Sequence, residues 1–90
     1  RFKRLLVQQA GILPGERVVD LGCGTGTLTL LAKQTAPEAT IIGLDGDPEA
    51  LAIARTKAER AGLSIEFMES LAWRAPLEPS SCDRVLSSLV

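Results

Sequence analysis

Short apolar runs alternate with stretches of helical periodicity along this 90-residue chain. Apolar residues that recur every three or four positions indicate one face of a helix, whereas short runs rich in β-branched residues indicate buried strands. The first half of the chain is predicted to contain a helix that ends at Gly11, a strand over residues 17–21, a helix over residues 26–35 and a strand over residues 40–44. The second half is predicted to contain a helix over residues 48–61, a strand over residues 64–68, a loop over residues 69–81 and a strand over residues 83–90.

Capping residues support the boundaries of the helix over residues 48–61. Asp47 fits the N-cap position and Pro48 fits the first helical position, where its missing N–H costs nothing. Glu49 then places a negative charge near the positive end of the helix dipole. Gly62 follows the last helical residue, as glycine does after many helices.

The order of these elements predicts an α/β fold. Strands that alternate with helices are typical of right-handed crossovers, so we expect a Rossmann-like parallel sheet of about four strands, in the order 3-2-1-4, with flanking helices. In such a sheet the ligand crevice lies outside the carboxyl ends of the first and fourth strands. The edge of the fourth strand is open, and no residue after Val90 covers it. We therefore expect residues 1–90 to form a partial domain that is truncated after this strand.

Composition narrows the functional classes. The apolar fraction is 46% and the formal net charge is −1, which gives no indication of binding to nucleic acid or to an anionic membrane. No apolar run approaches the roughly 20 residues of a membrane span, and the amino terminus does not resemble a secretory signal. Cys23 and Cys82 lack metal-ligand spacing, so we expect no metal and two reduced, structural thiols in a cytoplasmic protein.

The candidate chemistry lies between the first strand and the next helix. Asp20 lies at the carboxyl end of the first strand, and three glycines follow at alternate positions, Gly22, Gly24 and Gly26. The glycines let a ligand approach the bare backbone, and the carboxylate beside exposed amides suits a ligand that carries both an ammonium and a carboxylate. A pyrophosphate fits poorly because Asp20 would repel it. The spacing also differs from the dinucleotide motif, which needs glycine where Thr27 stands.

Three segments together resemble the class I S-adenosylmethionine-dependent methyltransferases. They are the glycine motif at residues 18–26, the second strand with its following turn at residues 42–51, and the fourth strand at residues 83–89. The resemblance implies an enzyme that uses S-adenosyl-L-methionine as its cofactor. It also implies that Asp20 and the backbone of Gly22 and Gly24 hold the methionine end, and that Asp45 accepts hydrogen bonds from both ribose hydroxyls.

The cofactor-binding residues implied by the resemblance are Asp20, Gly22, Cys23, Gly24, Gly26, Asp45, Gly46, Leu71 and Ala72. Two of them depart from the family pattern on the adenine side. Gly46 replaces an apolar residue that packs against the base, and Leu71 replaces an aspartate that accepts from the adenine amino group. Leu71 is able to pack on the ring instead, and the Ala72 amide is able to contact a ring nitrogen.

The acceptor is expected to be a small molecule. Residues 87–90 lack the proline motif typical of methyltransferases that act on the nitrogens of nucleic acids and proteins. No catalytic residue and no oligomeric state follow from the sequence. Two alternatives remain open: a catalytically silent, methyltransferase-like binding domain, and an NAD-binding oxidoreductase domain of the Rossmann type.

Overall fold

Two helices and four strands make up the part of the chain that the computed structural model describes, residues 11–70 and 82–87. In chain order they are β1 (Arg17–Leu21), α1 (Thr27–Thr35), β2 (Thr40–Asp45), α2 (Pro48–Arg60), β3 (Glu66–Glu69) and β4 (Arg84–Ser87). The helix predicted before Gly11, residues 71–81 of the loop predicted over residues 69–81, and the last three residues predicted for the fourth strand lie outside the described residues. Glu69, predicted to begin that loop, is the last residue of β3.

The four strands form one parallel sheet in the order β3-β2-β1-β4, which confirms the predicted fold class and strand order. Val19 of β1 lies beside Ile42 of β2 on one side and Val85 of β4 on the other. Because all strands run the same way, their carboxyl ends meet at one edge of the sheet. The loop after β1 and the loop after β2 therefore start next to each other.

Apolar side chains cover both faces of the central strands. Val18 and Ile41 pack with Leu28 and Ala32 of α1, whereas Val19 belongs to a separate buried cluster on the opposite face. Burial on both faces explains why β1 and β2 read as continuous apolar runs and not as alternating patterns. Helix α2 contributes Leu51, Ala54 and Ala58 to a third buried cluster.

The ends of α2 follow the capping prediction. Oδ1 of Asp47 accepts a hydrogen bond of 2.9 Å from the Glu49 N–H, and Pro48 is the first helical residue. At the other end, the N–H of Leu63 donates to the Ala58 carbonyl at 2.9 Å. This closing turn extends to residue 63, so β3 begins at Glu66 and not at Ser64 as predicted.

The start of β4 is fixed to β1 by side-chain and backbone contacts. Oδ2 of Asp83 accepts from the Arg17 N–H at 2.8 Å, and the Asp83 N–H donates to the Arg17 carbonyl at 2.7 Å. Nε of Arg84 then forms an ion pair of 2.7 Å with Oε1 of Glu16. Asp83 thus joins β4 to β1 just before the strand, which begins one residue later than predicted.

Within residues 11–70 and 82–87, no helix combines the length and the apolar character that a membrane crossing demands.

Candidate functional site

The glycine loop connects β1 to α1 at the carboxyl edge of the sheet. Its three glycines, Gly22, Gly24 and Gly26, have φ angles of +65°, +57° and +85°. Residues with a side chain rarely adopt this left-handed backbone conformation, which explains the glycine at every second position. A Cβ at Gly26 would also lie 2.9 Å from the Ala54 Cβ, whereas a Cβ at Gly24 would meet no other atom within 4 Å. Gly26 is therefore required for packing against α2, and the backbone at Gly24 borders open space.

Asp45, the last residue of β2, is held by two backbone amides. Its Oδ2 accepts a hydrogen bond of 2.8 Å from the Gly24 N–H, and its Oδ1 accepts one of 2.9 Å from the Asp47 N–H. An ionised carboxylate has about four acceptor positions, so each oxygen retains the capacity to accept a further hydrogen bond. The side chain is half-buried. Asp45 is therefore a fixed double acceptor beside the glycine loop.

Backbone hydrogen bonds join the neighbouring segments at this edge. The Cys23 N–H donates to the Leu44 carbonyl at 2.9 Å, and the Ser70 N–H donates to the Asp45 carbonyl at 2.8 Å. Backbone hydrogen bonds thus connect the end of β2 to the glycine loop on one side and to the residue after β3 on the other. Of the predicted site residues, the structure brings the loop together with Asp45 and, next to it in the chain, Gly46. Leu71 and Ala72 lie outside the described residues.

Asp20 lies behind the loop and is fully buried. Its Oδ2 accepts a hydrogen bond of 2.8 Å from the hydroxyl of Thr29, which is also fully buried. A buried carboxylate is costly unless hydrogen bonds replace its lost hydration, so the hydrogen bond from the hydroxyl helps to stabilise Asp20 in this position. Thr29 was not among the predicted site residues. The signal was its spacing, because a polar residue three positions before the buried Ala32 lies on the same helix face.

Cys23 is a small buried residue of the glycine loop. Burial raises the pKa of its thiol to about 12, and the negative charges of Asp20 and then Asp45 act in the same direction. The thiol therefore stays protonated at neutral pH. Cys23 and Cys82 are both free, as expected. Among residues 11–70 and 82–87, no group of three or more histidine, cysteine or acidic side chains is placed to hold a metal ion.

Comparison with known proteins supplies the family. A family model described as a methyltransferase domain matches residues 18–90. A demethylmenaquinone methyltransferase of Thermus thermophilus is 41% identical over 85 residues, which are 94% of this chain and 39% of that protein. A ribosomal protein L11 methyltransferase of Stenotrophomonas maltophilia is 53% identical over 53 residues, which are 58% of this chain and 17% of that protein.

A solved structure agrees with the fold. The [4+2]-cyclase SpnF superposes with a TM-score of 0.86 at 28% identity, over 94% of this chain and 32% of that protein. The chain spans about two fifths or less of these three proteins. The family model covers most of the chain, from the buried strand β1 onward. The chain therefore belongs to the class I S-adenosylmethionine-dependent methyltransferases.

Proposed function

We propose that the protein containing these residues transfers a methyl group from S-adenosyl-L-methionine to a small-molecule acceptor, and that residues 1–90 are the cofactor-binding part of its domain. The observation that carries the proposal is the position of Asp45. Its carboxylate ends β2, is fixed by the Gly24 amide at 2.8 Å and retains capacity to accept two further hydrogen bonds. Two neighbouring ribose hydroxyls are donors that suit such an acceptor.

The described residues also fit the other end of the cofactor. The backbone at Gly24 borders open space, so a ligand is able to lie against it. Asp20 provides a buried negative charge behind the loop. We propose that Gly22 and Gly24 contact the methionine end, with Asp20 behind them, and that Asp45 binds the ribose.

We propose further that Cys23 and Gly26 shape the loop, and that Gly46, Leu71 and Ala72 border the adenine. When bound, S-adenosylmethionine supplies a methyl group on a positively charged sulfonium. The residues of this chain would hold that donor in a fixed orientation, and alignment of donor and acceptor in a dry site contributes roughly 7–11 kcal/mol at best. No residue of this chain is proposed as a catalytic base.

We propose a small molecule, and not a nucleic acid, as the methyl acceptor. The 41% identical relative from Thermus thermophilus is named for demethylmenaquinone, and the net charge of −1 does not favour a nucleic-acid acceptor. The relative named for ribosomal protein L11 shares more identity, but over a shorter segment. We also propose a cytoplasmic location, consistent with two free cysteines.

Thermal unfolding with S-adenosylhomocysteine, the demethylated product, tests cofactor binding in the complete protein. A ligand that binds only the folded state stabilises it by about 2.7 kcal/mol at a concentration of 100 Kd. We expect the melting temperature to rise with each increase in ligand and to stay constant with NADH. Stabilisation by NADH alone would favour the oxidoreductase alternative.

A catalytically silent binding domain is the second candidate. The [4+2]-cyclase SpnF has the same fold over 94% of this chain, so the fold by itself does not establish methyl transfer. Transfer of a labelled methyl group from S-adenosylmethionine to demethylmenaquinone separates the two candidates. Labelled product supports the enzyme, whereas ligand binding without transfer to this or to other small-molecule acceptors favours the silent domain.

A further inference from the structure

Thr29 and Asp20 form a buried pair on the two sides of the glycine loop. The carboxylate belongs to β1 and the hydroxyl to α1, and neither residue has any exposed surface. The hydrogen bond from the Thr29 hydroxyl to Oδ2 of Asp20 measures 2.8 Å. Because the donor is a neutral hydroxyl, it fixes the orientation of the carboxylate without adding a positive charge.

The charge of Asp20 acts on the loop above it. The carboxylate contributes to the raised pKa of the Cys23 thiol, and Cys23 lies within the loop itself. Electrostatic interactions are stronger in the protein interior than in water, so a buried charge acts over a longer distance than an exposed one. A positively charged group placed against the loop would therefore be stabilised even without touching Asp20.

We propose that Thr29 is a positioning residue for cofactor binding: its hydroxyl holds the Asp20 carboxylate beneath the glycine loop, and Asp20 from there favours the ammonium group of the methionine end. This inference rests on the proposed function. Asp20 acts at a distance because none of its surface is exposed at the loop. A ligand therefore contacts the backbone of the loop while the carboxylate behind it provides the charge.

A purely structural role for the same pair makes a different prediction. If Thr29 only fastens α1 to β1, its loss loosens the whole loop and weakens every ligand that binds beside it. If Thr29 positions the charge, its loss weakens only ligands that carry the ammonium group. S-adenosylhomocysteine carries this group, whereas 5′-methylthioadenosine has the same adenine and ribose but no amino-acid tail. The informative quantity is therefore the Kd of 5′-methylthioadenosine divided by the Kd of S-adenosylhomocysteine.

Calorimetric titration of the complete protein with both ligands provides the test. Thr29→Val keeps the shape of the side chain and removes the donor, so we expect binding of S-adenosylhomocysteine to weaken about tenfold, as for loss of a hydrogen bond to a charged group. Binding of 5′-methylthioadenosine should change less than about twofold by the same scale. Thr29→Ser keeps the hydroxyl and should retain the wild-type ratio. Asp20→Asn removes the charge and should lower the ratio at least as much as Thr29→Val.

Equal weakening of both ligands in Thr29→Val, or no weakening of either, would overturn the inference. If Thr29→Val does not fold, Thr29→Ala removes the same donor without placing a methyl group against the carboxylate, and the same ratio decides. A wild-type protein that binds neither ligand would overturn the proposed function together with this inference. A wild-type protein that binds both ligands, combined with an unchanged ratio in Thr29→Val and in Asp20→Asn, would overturn this inference alone.

Discussion

The backbone N–H of Gly24 donates a hydrogen bond of 2.8 Å to Oδ2 of Asp45. This bond joins the loop after β1 to the carboxyl end of β2, across 21 residues of sequence. The two segments proposed to hold opposite parts of the cofactor are therefore one connected unit. A change in the backbone at Gly24 is expected to alter the position of the Asp45 carboxylate, even though the two residues belong to different motifs.

Gly26→Ala should destabilise the fold more than Gly62→Ala. Both glycines have positive φ, which costs an alanine about 1–2 kcal/mol. At Gly26 the new Cβ would also lie 2.9 Å from the Ala54 Cβ, whereas at Gly62 it would meet nothing within 4 Å. Crowding of this kind adds about 1–3 kcal/mol. Urea unfolding of both variants measures the difference, and equal losses would contradict the packing argument.

Cys23 should resist alkylation in the folded protein. The thiolate is the reactive form, and burial raises the pKa of the Cys23 thiol to about 12. At pH 8 we expect iodoacetamide to label the half-buried Cys82 first and to label Cys23 only after unfolding in urea. Mass spectrometry of the digested protein distinguishes the two sites. Labelling of both cysteines at the same rate without urea would show that the loop opens readily.

The ion pair between Glu16 and Arg84 should make the fold sensitive to acid. The hydrogen bond from Arg84, and then that from the Leu13 N–H, holds the pKa of the Glu16 carboxyl below its usual value of 4.5. Because the folded-state pKa is lower than the unfolded-state pKa, this stabilisation is fully present above pH 4.5. It is lost as the pH falls through the lower, folded-state pKa.

Urea unfolding between pH 7 and pH 3 measures this dependence. In Glu16→Gln the part of the acid sensitivity that comes from this carboxyl should disappear, and Arg84→Gln should lose most of the same part because Arg84 is the main cause of the shift. An acid sensitivity identical in wild type and Glu16→Gln would show that the pair does not contribute.

Periodicity and capping residues were sufficient to predict most of the architecture. The apolar runs of β1 and β2 are buried on both faces, so their pattern is strong, and Asp47 with Pro48 marks the start of α2 directly. The boundary of β3 was less accurate. The closing turn of α2 uses the Leu63 N–H to bond the Ala58 carbonyl, and this geometry is not visible in the alternation of apolar residues that follows it.

The contacts within the site were harder to predict than its residues. The motif indicated Asp20 and Asp45, but it did not indicate that Thr29 donates to Asp20 or that Gly24 donates to Asp45. Both contacts depend on how the strand, loop and helix pack in three dimensions. Sequence spacing predicts which edge of the sheet a residue reaches, whereas the contact between Thr29 and Asp20 depends on the rotation of α1 against β1.

Calorimetric titration of the complete protein with S-adenosylhomocysteine, in wild type and in Asp45→Ala, tests the central claim most directly. Glu59→Ala is the matched control, because it removes the same charge from an exposed position near the end of α2. We expect Asp45→Ala to weaken binding by roughly 1.5–3 kcal/mol, the cost of losing hydrogen bonds to a charged group. Glu59→Ala should bind like wild type. An unchanged affinity in Asp45→Ala would contradict the assignment of this carboxylate to the cofactor.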